Sequence, residues 1–139
     1  MTPENQRIVL MADDDEEDCF LAKEAFEASG ANAAFSCVED GMELTDYLSE
    51  RSRSKANELP ALILLDLNMP RKDGREALLE IKTEPALKHI PIVILTTSAE
   101  EKDISFSMKA GANSFITKPA TFGEWVKIMK SLAELWLGG

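Results

Sequence analysis

Acidic, hydroxyl and basic side chains stand at the ends of successive apolar runs along this chain. Asp13 and Asp14 follow the first run, Asp66 follows the third, Thr96 ends the fourth, and Lys118 lies just past the fifth. If these runs are parallel strands of one sheet, their carboxyl ends meet at one edge, where ligand-binding crevices form. We therefore expect the five side chains to converge, although they lie far apart in the sequence.

This mixture of side chains suits the transfer of a phosphoryl group. Carboxylates that lie close together repel one another, and a hard divalent cation such as Mg²⁺ relieves that repulsion. One carboxylate then remains available as a nucleophile, as in the formation of an aspartyl phosphate. Lys118 would supply positive charge to the phosphoryl oxygens, and the hydroxyl of Thr96 would supply a hydrogen-bond donor. The residues thus predict a metal-assisted phosphoryl-transfer site.

The apolar runs alternate with helical patterns about five times. The predicted strands are residues 8–12, 34–38, 61–65, 92–95 and 114–116, and the predicted helices are residues 16–29, 42–50, 75–82, 99–110 and 121–137. Ser98 is the expected cap of the fourth helix, and residues 51–58 are expected to be a surface loop or a frayed helix end. Runs without polar alternation indicate strands that are covered on both faces. The pattern predicts an α/β fold, a doubly wound five-stranded parallel sheet with helices on both faces.

Composition predicts a single soluble domain over residues 1–139. The formal net charge is -10, and a surface this acidic repels nucleic-acid phosphates, so we expect no binding to nucleic acid. No apolar run is long enough to span a bilayer, and no signal segment follows the polar residues 1–6, so we expect no membrane association. Cys19 and Cys37 are far apart in the sequence and are expected to be buried free thiols in a reducing compartment, which favours a cytoplasmic location.

Four segments resemble the signature segments of bacterial response-regulator receiver domains. They are residues 11–15 (MADDD), 65–74 (LDLNMPRKDG), 94–98 (ILTTS) and 115–119 (FITKP). The segments agree with the family in order and spacing, and the resemblance extends from about Arg7 to Leu137. It implies the flavodoxin-like (βα)5 arrangement with strand order 2-1-3-4-5. With no effector domain after Gly139, it implies a stand-alone response regulator of a two-component phosphorelay that signals through protein contacts.

By this resemblance, Asp66 would be the phospho-acceptor and also a metal ligand. Asp14 would coordinate Mg²⁺ directly, Asp13 would act mainly through water, and the backbone carbonyl of Asn68 would be a further ligand. Mn²⁺ or Ca²⁺ would be the expected substitutes for Mg²⁺ in a structure. The protein would promote only its own phosphorylation and autodephosphorylation, so we expect it not to be an enzyme.

The same resemblance assigns the residues that bind phosphate and change position. Thr96 would be the switch hydroxyl and Lys118 the cation that pairs with phosphate, while the Lys118–Pro119 peptide bond would be cis. Phe115 occupies the family's Tyr or Phe switch position but lacks a hydroxyl group. Thr97 replaces a small residue that is common there and would slightly crowd the inward movement of Phe115.

Residues 89–98 and the polar linker before the third strand resemble, more narrowly, the small receivers that partner bacteriophytochrome-type histidine kinases. A sensor histidine kinase of that type is therefore the expected phosphoryl donor.

The last predicted helix carries an apolar face that is wider than a one-sided helix needs. It includes Trp125, Ile128, Leu132, Leu135 and Trp136. The face is either a deep core contact with scattered exposed side chains or a second buried surface. Because the fourth helix, fifth strand and fifth helix often form an interface in this family, we predict a homodimer through these residues.

Two other functions compete with a phosphorylation switch. A phosphohydrolase of the haloacid-dehalogenase type also uses an aspartate nucleophile and Mg²⁺, but it requires a second aspartate where this chain has Asn68. A phosphate-independent interaction module with a vestigial site is disfavoured by the intact set of site residues. The chain is either a full-length protein or an excised domain.

Overall fold

The computed structural model describes residues 7–54 and 58–138, in which strands and helices alternate. The strands are β1 (Ile8–Ala12), β2 (Ala34–Val38), β3 (Leu62–Leu65), β4 (Ile92–Thr96) and β5 (Ser114–Thr117). The helices are α1 (Glu16–Ala28), α2 (Gly41–Ser54), α3 (Gly74–Thr83), α4 (Glu101–Ala110) and α5 (Phe122–Trp136). The described strands form one parallel sheet in the order β2-β1-β3-β4-β5, which confirms the predicted fold class and strand order.

Each face of the sheet carries its own apolar core, because successive side chains of a strand point to opposite faces. On one face, Ile63 of β3 packs with Leu44 of α2 and Leu78 of α3. On the other face, Leu64 of β3 packs with apolar side chains of α1 and α5, including Trp125. Burial on both faces explains why the central strands are almost purely apolar. In the described ranges, no helix combines the length and apolar character needed to cross a membrane.

Side chains cap most of the helices, but not in the predicted way at α4. Asp15, Asp73 and Thr121 accept hydrogen bonds from the first backbone N–H groups of α1, α3 and α5. Ser98 was expected to cap α4, yet the helix begins two residues later and its capping position has no side-chain hydrogen bond. The hydroxyl of Ser98 instead donates to the buried Asp103 carboxylate at 2.7 Å, a stronger charge-assisted bond.

Helix α2 is longer than predicted. It runs to Ser54, whereas the sequence pattern ended at residue 50 because the residues beyond it lack apolar periodicity. The guanidinium of Arg51 lies 3.6 Å from the centre of the Tyr47 ring, one helical turn earlier. Such a cation–π contact at this spacing stabilises an extra turn without any apolar residue. Residues 1–6, residues 55–57 and Gly139, which belong to the predicted N-terminal segment, loop and domain end, lie outside the described residues.

The prediction of free thiols is wrong in this structure, because Cys19 and Cys37 form a disulfide. Their Cα atoms are 6.4 Å apart, although 18 positions separate them in the sequence. The pairing arises because α1 returns across the sheet beside β2, the edge strand, and brings the two side chains together. Cys37 is exposed and Cys19 is partly buried.

The apolar face of α5 is divided between the core and the surface. Trp125 and Leu132 are buried in the core shared with α1, so their assignment to a dimer face is wrong. Ile128 and Trp136 are partly buried against the same core, and Leu135 is 72% exposed. The face is wide because α5 packs against both the sheet and α1. Its width therefore reflects intramolecular contacts more than a partner.

Candidate functional site

The candidate site lies at the carboxyl edge of the sheet, where backbone hydrogen bonds position its residues. The N–H of Asp13 donates to the carbonyl of the last residue of β2, and the N–H of Asp66 to the last residue of β1, each at 3.0 Å. The N–H of Lys118 donates to the carbonyl of Thr96 at 2.8 Å. These bonds continue the parallel ladders past the strand ends. Backbone hydrogen bonds of the sheet therefore set the positions of the site residues.

Three carboxylates meet at this edge. Asp13, Asp14 and Asp66 each offer an oxygen atom, and these oxygens all lie within 4.8 Å of one another. Asp13 and Asp66 are buried, with 1% and 6% of their surface exposed, whereas Asp14 is exposed. A cluster with two buried members and one open side has the oxygen donors and the access that a hydrated divalent cation requires.

The ammonium group of Lys118 faces the same carboxylates. Its Nζ lies 2.7 Å from Asp13 Oδ2, 3.4 Å from Asp66 Oδ2 and 2.7 Å from Asp18 Oδ2. Only 8% of the Lys118 side chain is exposed. A buried cation among several acidic groups offsets part of their repulsion and places positive charge beside the Asp66 carboxylate.

The pKa values of Asp13 and Lys118 are both raised, but for different reasons. Desolvation raises the pKa of Asp13 to about 6, with a smaller contribution from the nearby Asp66 charge, and Lys118 only partly compensates. Burial alone would lower the pKa of Lys118, but the carboxylates of Asp13, Asp18 and Asp66 outweigh it and hold that pKa above its ordinary value. Lys118 is therefore charged at neutral pH, and Asp13 carries a costly negative charge.

The predicted switch residues belong to β4, β5 and the loop after β4, and they differ in exposure. Thr96 is fully buried, and its Oγ1 has no hydrogen-bond partner among the described residues. Thr97 and Asn68 are exposed, and the N–H of Asn68 donates to Asp66 Oδ1 at 3.4 Å. Phe115 is partly buried against the core beside β4. A buried hydroxyl without a partner is unfavourable and is ready to bind an acceptor that enters the site.

The Lys118–Pro119 peptide bond is trans, because the described residues contain no cis peptide bond. The prediction of a cis bond is therefore wrong for this structure. The trans form is favoured by about 0.5–1 kcal/mol even before proline. In the trans form Lys118 still reaches Asp66, so contact between these two residues does not require the cis isomer.

Sequence reasoning missed two residues that shape the site. Asp18 pairs with Lys118, and the signal for this was its position in the first turn of α1, directly after the acidic residues that end β1. Gly74 approaches the backbone of Asp66 so closely that an added Cβ would overlap its carbonyl oxygen. An Asp-Gly pair indicates a turn, but no local pattern reveals such a close approach.

An ionic network around the buried Asp103 carboxylate was missed as well. Arg75 of α3 donates to Asp103 of α4 at 2.9 Å, and Asp103 also accepts the hydrogen bond from Ser98. These hydrogen bonds lower the pKa of Asp103, that from Ser98 most strongly, followed by that from Arg75. The network joins the loop after Thr96 to two helices, and its members are too far apart in sequence to form a recognisable motif.

Comparisons with known proteins agree with this geometry. A family model described as "Response regulator receiver domain" matches residues 9–130. Response regulator Rcp1 of Synechocystis is 35% identical over 131 residues, covering 94% of this chain and 89% of Rcp1. The structure of Rcp1 in its Mn²⁺-bound form has a TM-score of 0.83 and covers 94% of both chains.

Two phytochrome response regulators of known structure are similar too. The phosphorylated cyanobacterial phytochrome response regulator RcpA is 41% identical, with a TM-score of 0.85 over 95% of this chain and 94% of its own. The bacteriophytochrome response regulator AtBRR is 34% identical, with a TM-score of 0.74 over 93% of this chain and 94% of its own. These matches confirm the resemblance to phytochrome-associated receivers, and the chain belongs to the response regulator receiver domain family, whose members act in two-component signalling.

Proposed function

We propose that this protein accepts a phosphoryl group on Asp66 from a sensor histidine kinase, in a Mg²⁺-dependent reaction, and signals through protein contacts. It would use residues 1–139 as a single receiver domain and would catalyse only its own phosphorylation and autodephosphorylation. The observation that carries the proposal is the contact between Lys118 Nζ and Asp66 Oδ2, 3.4 Å apart, inside a cluster of three carboxylates. A nucleophile beside a buried cation is what phosphoryl acceptance requires.

The donor set fits Mg²⁺. Asp14, Asp66 and the carbonyl of Asn68 would hold the ion, and Asp13 would act mainly through water. Carboxylate and carbonyl oxygens on one open side are ligands that Mg²⁺ prefers together with water. The Mn²⁺-bound form of the relative Rcp1 supports a divalent ion here, and Ca²⁺ would be a further substitute. When bound, the ion would neutralise charge between the carboxylate and the incoming phosphoryl oxygens.

The chain's own residues would perform the transfer. An oxygen of the Asp66 carboxylate attacks phosphorus, a P–O bond forms, and the P–N bond to the kinase histidine breaks, leaving the electron pair on the imidazole. Lys118 pairs with one equatorial oxygen of the phosphoryl group as that group passes to Asp66. The hydroxyl of Thr96, which has no partner among the described residues, donates to another. Hydrolysis of the aspartyl phosphate by water would reset the protein.

The signal would be a change in affinity for a partner. Movement of Thr96 toward the phosphoryl group would let Phe115 follow inward, although the neighbouring Thr97 would limit the movement. Only a difference in affinity between the two states transmits information. Relatives described as phytochrome response regulators support a bacteriophytochrome-type kinase as donor, and such signalling would take place in the cytoplasm. The net charge of -10 disfavours nucleic acid as a target.

Conversion of Asp66 to asparagine is expected to abolish phosphorylation, because an amide lacks the anionic nucleophile. The protein is incubated with acetyl phosphate and Mg²⁺, and intact mass is followed. The unmodified protein should gain the mass of one phosphoryl group, whereas Asp66→Asn should gain none.

The matched control is Asp73→Asn, which makes the same chemical change in the same loop. Asparagine caps helices as well as aspartate does, so this variant should be phosphorylated like the parent. A parent protein that gains no mass at saturating Mg²⁺ would overturn the proposal and favour a phosphate-independent interaction module. Rapid turnover of many phosphoesters would favour a phosphohydrolase instead.

Dimerisation through α4, β5 and α5 is part of the same proposal. Its support is the exposure of apolar side chains on both helices. These side chains are Ile104 and Met108 on α4 and Phe122 and Leu135 on α5. The partly buried Ile128 and Trp136 would border this surface. Exposed apolar groups of this kind favour an interface that buries them.

We expect Leu135→Glu to shift the protein toward monomer in sedimentation velocity at high micromolar concentration, measured with and without acetyl phosphate. Phe20→Glu replaces an apolar side chain on α1 that is 62% exposed, against 72% for Leu135, and should leave the distribution unchanged. A parent protein that is monomeric in both states would exclude the dimer.

A further inference from the structure

The Cys19–Cys37 disulfide lies close to the acidic cluster but takes no part in the proposed phosphoryl transfer. It joins the first half of α1 to β2. Both cysteines line an open groove of about 360 Å³, together with Phe20, Lys23 and Phe35. Cys37 is exposed and Cys19 is partly buried, so a reagent in solution would approach the bond from the side of Cys37.

Each of the two cysteines lies near one backbone group of Asp13, Cys37 near its N–H and Cys19 near its carbonyl. Cys37 precedes Val38, whose carbonyl accepts the hydrogen bond from Asp13 N–H at 3.0 Å. The sulfur of Cys19 lies 3.7 Å from the carbonyl oxygen of Asp13. Cys19 also follows Asp18, whose carboxylate contacts Lys118. The disulfide therefore connects two segments that contact Asp13, one of which also contacts Lys118 through Asp18.

The position of β2 in the sheet makes this connection consequential. β2 is the edge strand and pairs with β1 alone, so one strand ladder and its contacts with α1 hold it in place. A covalent link between α1 and β2 removes much of the freedom that an edge strand would otherwise have. When the link is open, only non-covalent contacts hold β2 and α1 in place around the backbone of Asp13.

We propose that Cys19–Cys37 is a redox modification site, opened by exchange with a dithiol and closed again by the reverse exchange with a small disulfide, which controls the affinity of the Asp13–Asp14–Asp66 cluster for Mg²⁺. The inference rests on the proposed function for its biological consequence, because weaker metal binding would slow phosphorylation of Asp66. The closed form would be the competent receiver, and the open form would respond only at higher Mg²⁺ concentration.

The chemical step is thiol–disulfide exchange. A thiolate of the dithiol attacks the sulfur of Cys37, the more exposed of the two residues, an S–S bond forms in a mixed disulfide, and the electron pair of the broken bond leaves on Cys19, which takes a proton. The second thiol of the reductant then attacks the reductant sulfur that is bonded to Cys37. This closes a disulfide within the reductant and releases Cys37 as a thiol. Two electrons and two protons pass to the protein, and the dithiol becomes a disulfide.

The full chain is prepared in its oxidised form and, in parallel, after treatment with dithiothreitol. A gain of two mass units and two titratable thiols defines the reduced state. Mg²⁺ binding is then measured by calorimetry, without any phosphoryl donor. We expect the reduced protein to bind Mg²⁺ about tenfold more weakly, the lower end of the cost of removing support behind metal ligands. Equal affinities in the two states, or two free thiols in protein purified without reductant, would overturn the inference.

Two double variants separate this effect from general loss of stability. The variant Cys19→Ser with Cys37→Ser should bind Mg²⁺ like the reduced parent and should not respond to dithiothreitol. The variant Cys19→Ala with Cys37→Val suits a helix and a strand, respectively, and protects the fold while lacking the link. The same tenfold weakening in this second variant, with an unchanged circular dichroism spectrum, would support the inference. Parent-like affinity would overturn it.

Phosphorylation by acetyl phosphate at low and saturating Mg²⁺ tells the two proposals apart. If the oxidised and reduced proteins are phosphorylated at different rates at low Mg²⁺ and at the same rate at saturating Mg²⁺, both the proposed function and the redox inference are supported. If neither form is phosphorylated at saturation, the proposed function fails, whereas the inference about metal affinity is still decided by calorimetry.

Discussion

Asp13→Asn is expected to raise the free energy of unfolding of the metal-free protein by about 2 kcal/mol at pH 7. The reason is that desolvation and the charge of Asp66 raise the pKa of Asp13 from 3.8 to about 6, so the folded state disfavours its negative charge. Asparagine has the same shape without the charge. The prediction is checked by urea unfolding in the presence of a chelator.

The pH dependence of this gain has a definite sign. Above pH 6 the folded parent carries the full cost of the Asp13 charge, so the difference between variant and parent is largest there. As pH falls from 6 to 3.8, the folded parent takes up a proton before the unfolded chain does, and the difference shrinks toward zero. Saturating Mg²⁺ should also shrink it, because binding stabilises the folded parent more than the variant.

Asp15→Asn is the matched control for this experiment. Asp15 is exposed and caps α1, and asparagine is an equally good capping residue, so stability should change by less than about 0.5 kcal/mol. If Asp13→Asn is no more stable than the parent at pH 7, then Lys118 compensates the Asp13 charge fully and burial does not dominate its pKa.

Gly74→Ala is expected to lower the free energy of unfolding by about 3 kcal/mol, because overpacking against rigid backbone is costly. A Cβ at this position would overlap the carbonyl oxygen of Asp66 and lie 2.7 Å from Leu67 Cα. The N–H of Gly74 also donates to the carbonyl of Leu67 at 2.8 Å, so α3 cannot move away without losing that bond. Because any relief of the clash displaces Asp66, slower phosphorylation by acetyl phosphate should accompany the loss of stability.

Gly123→Ala provides the comparison for Gly74→Ala. Gly123 lies in the first turn of α5, and an added Cβ there meets nothing within 4 Å. Alanine is the better helix former, so this variant should be unchanged or more stable by about 0.5 kcal/mol. Equal stability of Gly74→Ala and the parent would mean that the loop after β3 adjusts freely, in which case the position of Asp66 is not held by this close approach.

Local chemistry allowed much of the fold to be predicted. Apolar runs with polar ends gave strands close to their observed bounds, and β2 was placed at the observed residues 34–38. Regular alternation with helices leaves few sheet topologies, because parallel strands need crossovers of one hand. The same argument placed Asp13, Asp66 and Lys118 at one edge, where the structure has them in contact.

The predictions that were wrong concern features that depend on contacts outside the local sequence pattern. The apolar stripe of α5 looks the same whether Trp125 meets a partner or the core, and only the packing of α1 beside it decides. The helical extension at Arg51 rests on one ring contact rather than on apolar periodicity. The trans bond before Pro119 likewise depends on the path of the loop after β5, which no local motif determines.

By itself, therefore, the sequence determined the element order, the residues at the carboxyl edge and the kind of chemistry they support, because these follow from side-chain type and short-range periodicity. Only the tertiary structure decided that Asp18 shares Lys118 with the acidic cluster, that Gly74 touches the backbone of Asp66 and that Cys19 meets Cys37. Each of these contacts joins residues from separate elements, and it forms only if the helices pack at the right distance from the sheet. The packing of the whole core sets that distance, so no single segment of the sequence determines it.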